Sequence, residues 1–170
     1  MAVAETERLR LREFTAADAA FVLELLNEPA WLEHIGDRGV RTVDDARRYI
    51  DDGPRAMYAR HGFGIWLVEN KADGEPVGAC GLLKREVLQE VDLGFAFLER
   101  HWGNGFAREA ATAALRLAHE RWGLSRLVAL TARRNERSMT LLRRLGFRFL
   151  HVRAAEGTLA ESNVFLRELP

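Results

Sequence analysis

Cysteine is almost missing from this 170-residue chain, Cys80 being the single thiol. That excludes an intramolecular disulfide and a thiolate metal site built by this chain alone, and it fits a reducing compartment. Long apolar runs are missing as well. None approaches the ~18 residues that a membrane span requires. Neither sign of charge is in excess: 25 Lys and Arg balance 25 Asp and Glu. A neutral total argues against bulk nucleic-acid binding, which needs surplus basic charge, and leaves room for a local basic patch. The first twelve residues hold no apolar h-region and turn charged from Glu5 onward. His34, His61, His101, His119 and His151 show no metal-ligand spacing, so no metal is expected. Ser125 lacks the second glycine of a hydrolase elbow. What is present, 48% apolar and 29% charged residues, is the balance of a cytoplasmic globular protein, one domain over residues 1–170.

Strand and helix patterns alternate along the chain. Residues 8–12 alternate polar and apolar at period two, as a half-buried strand does. Thr15 reads as a helix N-cap ahead of Phe21, Val22, Leu25 and Leu26, with Pro29 beyond. Thr42 with Asp45 is a weak capping box opening a helix whose apolar face holds Val43, Ala46 and Ile50, and Gly53-Pro54 interrupts or ends it. The stretch between these helices, residues 28–41, reads as irregular. Residues 63–69 and 76–83 read as strands joined by the Asp73-Gly74 turn, with a third at 91–97. A helix follows over 105–122, then a strand at 126–132, a helix at 135–145, and late strands at 147–152 and 163–169. Three consecutive strands on short links predict an antiparallel meander. The fold class is therefore α+β, with a central, mostly antiparallel mixed sheet flanked by helices.

The segment richest in chemistry runs from Asp92-Leu93-Gly94-Phe95 to His101-Trp102-Gly103-Asn104-Gly105-Phe106-Ala107-Arg108. A strand leads into a glycine-bearing loop that opens a helix. Such a loop frees backbone N–H groups, and the helix dipole adds positive potential, which together suit a phosphate. A plain helix start with two loop glycines is the alternative. The segment lacks the Gly-Lys-Ser/Thr of a P-loop, and Arg108 stands where a dinucleotide fold wants a third glycine.

In these residues the chain resembles the GNAT superfamily of N-acetyltransferases, in particular its ribosomal-protein N-terminal (RimJ/RimL-like) branch. The resemblance is carried by residues 7–12 with Asp18, by residues 76–82, by 92–95, by 102–110, by Asn135-Glu136-Arg137-Ser138 and by Leu145-Gly146-Phe147. It implies acetyl-CoA as cosubstrate and an amine acceptor, either a small molecule or a protein N-terminus, in a monomer or homodimer without nucleic-acid or membrane partners. By the family pattern, backbone N–H groups of Gly103, Asn104, Gly105, Phe106, Ala107 and Arg108 hold the pyrophosphate. The strand from Leu93 through Phe95 to Phe97 pairs with the pantetheine arm, which Asn135 also contacts. Trp102 departs from the Gln or Arg that often begins this loop. A non-catalytic acyl-CoA-binding or sensor module of the same fold is the rival implication.

Acetyl transfer needs a base for the ammonium, a donor for the oxyanion and an acid for the thiolate. Asp92 is the leading base, Glu90 would share its face by period two, and His101 titrates in the right range. Where many relatives place a tyrosine acid this chain has Leu142. Ser138, three residues after Asn135, is the candidate acid, or else a small hydroxyl packed under the cofactor, which it would touch either way. Trp31 and His34 fall where relatives build the acceptor wall. Carboxylates crowd residues 28–52 and arginines crowd 133–144. That layout predicts acid where a cationic amine enters and base, through Arg133, Arg134 or Arg137, where a phosphate-rich coenzyme lies.

Overall fold

A computed structural model describes residues 2–170. Its strands are β1 (Ala2–Glu5), β2 (Leu9–Arg12), β3 (Ile65–Asn70), β4 (Pro76–Leu83), β5 (Asp92–Phe97), β6 (Arg126–Ala132), β7 (Arg148–Arg153) and β8 (Ser162–Glu168). They form an eight-stranded sheet in the order β1-β2-β3-β4-β5-β6-β8-β7. All neighbours run antiparallel except β5 and β6, so the sheet is mixed and mostly antiparallel, as expected. The helices are α1 (Ala19–Leu26), α2 (Pro29–His34), α3 (Val43–Ile50), α4 (Ala56–His61), α5 (Phe106–Glu120) and α6 (Glu136–Arg144).

The period-two pattern of the strands divides the core between two faces. Trp66, Cys80, Leu93 and Phe165 point to the side covered by α5 and α6. Leu67 and Ala79, one residue out of phase with Trp66 and Cys80, meet Phe21, Leu25, Ala46 and Ile50 from α1 and α3. Small side chains let α5 approach closely: Ala110, Ala111, Ala114 and Ala118 are all buried against the sheet. Burial pushes the Cys80 thiol well above its ordinary range, in keeping with packing and not nucleophilic chemistry.

Both expected caps form, with a displacement. Thr15 caps a 3-10 turn (Ala16–Asp18) that runs into α1, and Thr42 with Asp45 makes a complete capping box on α3. Val43 lies at the first helical position and is exposed, while Tyr49 joins Ala46 and Ile50 on the apolar face. Gly53-Pro54 does not end the helical run. The chain widens into a π turn at Asp51–Arg55, which accommodates the proline ring, and continues as α4 until Gly62 stops it at φ +77°. The stretch expected to be irregular contains α2, with Pro29 at its first turn.

Candidate active site

β5 and β6 meet at one register pair, Asp92 opposite Val128, with the Val128 N–H donating to Val91 O at 3.1 Å. Beyond Asp92 the two strands part. Backbone groups on the β6 side of Leu93–Phe97 therefore have no strand partner. The opening continues into a cavity of about 870 Å³ lined by Leu93, Phe95, Phe97, Gly103, Gly105, Phe106, Ala107, Arg108, Asn135 and Ser138, and also by Trp31, His34 and Asp92. Most of the sequence-derived candidates thus converge on one space.

The glycine-bearing loop leaves β5 through a 3-10 turn (Glu99–His101), and the Trp102 indole Nε1 donates to Phe97 O at 2.9 Å, fixing the loop to the strand end. Trp102 also carries the Arg137 guanidinium 4.1 Å above its ring. Gly103 and Gly105 take φ of +83° and +77°, a left-handed backbone that glycine adopts without strain. Gly105 is the N-cap of α5 and offers no side-chain cap. Among the described residues no backbone acceptor meets the N–H groups of residues 103–108, and Arg108, Arg137 and Arg144 line the same end. Open N–H groups, a helix dipole and three guanidinium groups are the donor set that a pyrophosphate requires. Asn104 is outside the lining, and its side-chain amide donates to His101 O at 3.1 Å. Arg133 pairs with Glu161 at 2.8 Å, and neither Arg133 nor Arg134 faces the cavity.

Asp92 is the most constrained group in the site. It is 2% exposed, and burial raises its carboxyl to about 6, with Arg85 pulling the other way. Oδ2 accepts from the Arg85 Nε at 3.3 Å, while Oδ1 is buried without a partner among the described residues. Trp31 Nε1 and His101 Nε2 are likewise buried and unpartnered, and both residues line the cavity. Buried polar atoms are rarely left unpaired, so three on one cavity mark a place for a polar ligand. Glu90 is placed elsewhere. β5 begins at Asp92, so period-two alternation does not extend back to Glu90, which lies outside the lining, 3.9 Å from Arg126. Asn135 caps α6 by accepting the Ser138 N–H at 3.2 Å, setting Ser138 on the first turn facing the cavity.

The expected acidic approach is not there. Asp37, Asp44, Asp45 and Asp51 are paired with Arg41, Arg47, Arg48 and Arg55 three or four residues along the chain. None of the four aspartates lines the cavity; of the carboxylates in residues 28–52, Glu28 alone does so, and it accepts the Glu99 N–H at 3.0 Å. Helical spacing brings Asp44, Asp45 and Asp51 each to its own arginine, and Asp37 meets Arg41 within the coil between α2 and α3, before any of them can reach a substrate. Sequence reasoning missed Arg38, Tyr49 and Arg85, which do line the cavity. Tyr49 on the apolar face of α3 was open to detection by helical spacing. Arg85 was not, because its pairing with Asp92 is tertiary.

A sheet splayed between two parallel strands, with an anion-ready helix start at one end and a buried carboxylate at the other, is the frame of an acyl-CoA-dependent acetyltransferase. The family model for the GNAT acetyltransferase domain matches residues 8–148, and the chain belongs to that family of acetyl-CoA-dependent N-acetyltransferases. It is 26% identical over 146 residues to the N-acetyltransferase YoaA of Bacillus subtilis, covering 85% of this chain and 82% of that one. An acetyltransferase from Agrobacterium tumefaciens superposes with a TM-score of 0.80 at 26% identity, over 96% and 92% of the two chains. RimL, a ribosomal L7/L12 α-N-protein acetyltransferase solved with coenzyme A, shares the fold at 17% identity and a TM-score of 0.83, over 99% and 98%.

Proposed function

We infer that this enzyme moves the acetyl group of acetyl-CoA to a primary amine, of a small molecule or a protein N-terminus, by direct attack on the thioester. The observation that carries this is the half-satisfied Asp92, buried at the point where β5 and β6 separate. The coenzyme supplies an activated thioester carbonyl. Its pyrophosphate would lie on the N–H groups of Gly103 to Arg108, and its pantetheine arm would run along Leu93, Phe95 and Phe97 as an added strand, with Asn135 alongside.

Asp92 would hold the ammonium and take its proton, directly or through one water. A carboxyl at about 6 is ionised at neutral pH and remains a usable base. The amine lone pair then attacks the carbonyl carbon, and a β5 backbone N–H left free by the splay offers a donor to the oxyanion. As the C–S bond breaks, the thiolate takes a proton from the Ser138 hydroxyl, which regains one, through water, from the nitrogen as the amide forms.

An acetyl-CoA turnover screen across amine classes, read as thiol release, is expected to find an acceptor. Coenzyme binding without thiol release from any amine would replace transfer by an acyl-CoA-binding module. Ser138→Ala should lower kcat by about ten- to a thousandfold; wild-type kcat would reduce Ser138 to a packing role.

A further inference from the structure

We propose that the acceptor is a free α-amino acid with an apolar side chain, its ammonium on Asp92 and its carboxylate on Arg85 and Arg38. This deepens the transfer reading and rests on it.

Three observations lead there. Arg85 spends one N–H, its Nε, on Asp92 Oδ2 at 3.3 Å, and its Nη1 and Nη2 have no acceptor among the described residues. Arg38 has no carboxylate within 4.0 Å among those residues and stands beside Tyr49, whose hydroxyl burial pushes up while Arg38 and Arg85 pull the other way. Both guanidinium groups line the same cavity as Asp92. Asp92 thus sits against Arg85, and Arg38 is brought toward Arg85 by Tyr49, on which both arginines act. An anionic group is what planar guanidinium forks bind best.

Arg85, held on Asp92, is too remote to serve the coenzyme's pyrophosphate. Asp92 opens β5 and the glycine-bearing loop follows its far end, so at 3.3 Å per residue about 16 Å of strand lies between. Position also sets the ligand's shape. Because Arg85 and Asp92 touch, the amine and the acid of the acceptor must be near neighbours, as they are across a single carbon in an α-amino acid. Polyamines and aminoglycosides would bring further positive charge against both guanidinium groups. A peptide N-terminus carries a neutral amide where the anion is wanted. Val22, Leu25, Leu26, Trp31 and Ile35 line the same cavity, an apolar surface suited to a leucine-, methionine- or phenylalanine-like side chain.

The test compares kcat/KM for leucine, methionine and phenylalanine with their α-amides, with isoamylamine and 2-phenylethylamine, and with a leucine-initiated peptide. The free acids are expected to exceed the amides by roughly tenfold or more, and Arg38→Gln to collapse that ratio by raising KM for the acids. Amides, amines or the peptide serving as well as the acids would overturn the assignment while leaving acetyl transfer intact. Should no amine release thiol, calorimetry with coenzyme A present separates the two readings. Leucine binding without leucinamide binding keeps the amino-acid site and discards transfer; equal behaviour of the two discards the site as well.

Discussion

Asp92 shows how one residue can be costly to the fold and useful to the chemistry. Burial lifts its carboxyl to about 6 against the opposing pull of Arg85, so its folded value lies above that of the unfolded chain. The ionised form is then disfavoured in the native state: stability is highest while the carboxyl is protonated, below about pH 4, and falls as pH rises through 6. Holding this carboxylate ionised in the folded chain costs about 3 kcal/mol at neutral pH. Asp92→Asn is therefore expected to stabilise the enzyme by about 1–3 kcal/mol, seen as a Tm rise of several degrees. The same variant should lower kcat/KM by about 10²- to 10⁴-fold and remove an acid limb centred near pH 6. A retained limb in the pH–rate profile would place the base on another group, His101 being the next in reach of the cavity.

At the scale of elements, two glycines do opposite jobs. Gly105 at φ +77° would place an added Cβ 3.4 Å from an Arg8 Nη2, a flexible side-chain end. Gly105→Glu should thus fold, at a backbone cost of about 1–2 kcal/mol, and lose coenzyme affinity because a carboxylate occupies the anion site; calorimetry showing unchanged affinity would refute the loop assignment. Gly81, in mid-β4, would place a Cβ 2.1 Å from Gly64 O, so Gly81→Ala should destabilise by about 3 kcal/mol in denaturant melts. Elements with a strong local signal were legible in the sequence: the Thr15 and Thr42 caps, the strand–loop–helix at 92–120, and the strand 126–132 found with its bounds unchanged. β1 was not, since Ala2–Glu5 has little strand propensity and owes its form to pairing with β2. α2 escapes sequence reasoning because a proline just after α1 reads as a stop, whereas Pro29 sits in the first turn of the next helix. The site divides in the same way. Residues on periodic elements were found, while Arg38 and Arg85 lie on connecting segments with no period to mark them; the pairing of the acidic stretch, by contrast, is local and was open to detection by spacing.

For the whole molecule, the fold keeps its two cores on opposite faces of one sheet and leaves the sheet unfinished between β5 and β6. Completion by a bound strand-like ligand makes occupancy a component of the folding equilibrium. Coenzyme A that binds the native state alone should add RT ln(1 + [L]/Kd), about 2.7 kcal/mol at a hundredfold excess over Kd. Thermal melts across a coenzyme titration are expected to climb steadily and without saturation, and the Gly105→Glu variant should melt at one temperature throughout. The gap in the sheet would thereby make the enzyme's own durability responsive to coenzyme supply: a cell short of coenzyme A and its thioesters would hold a less durable population of this protein, and a well-supplied one a more durable population.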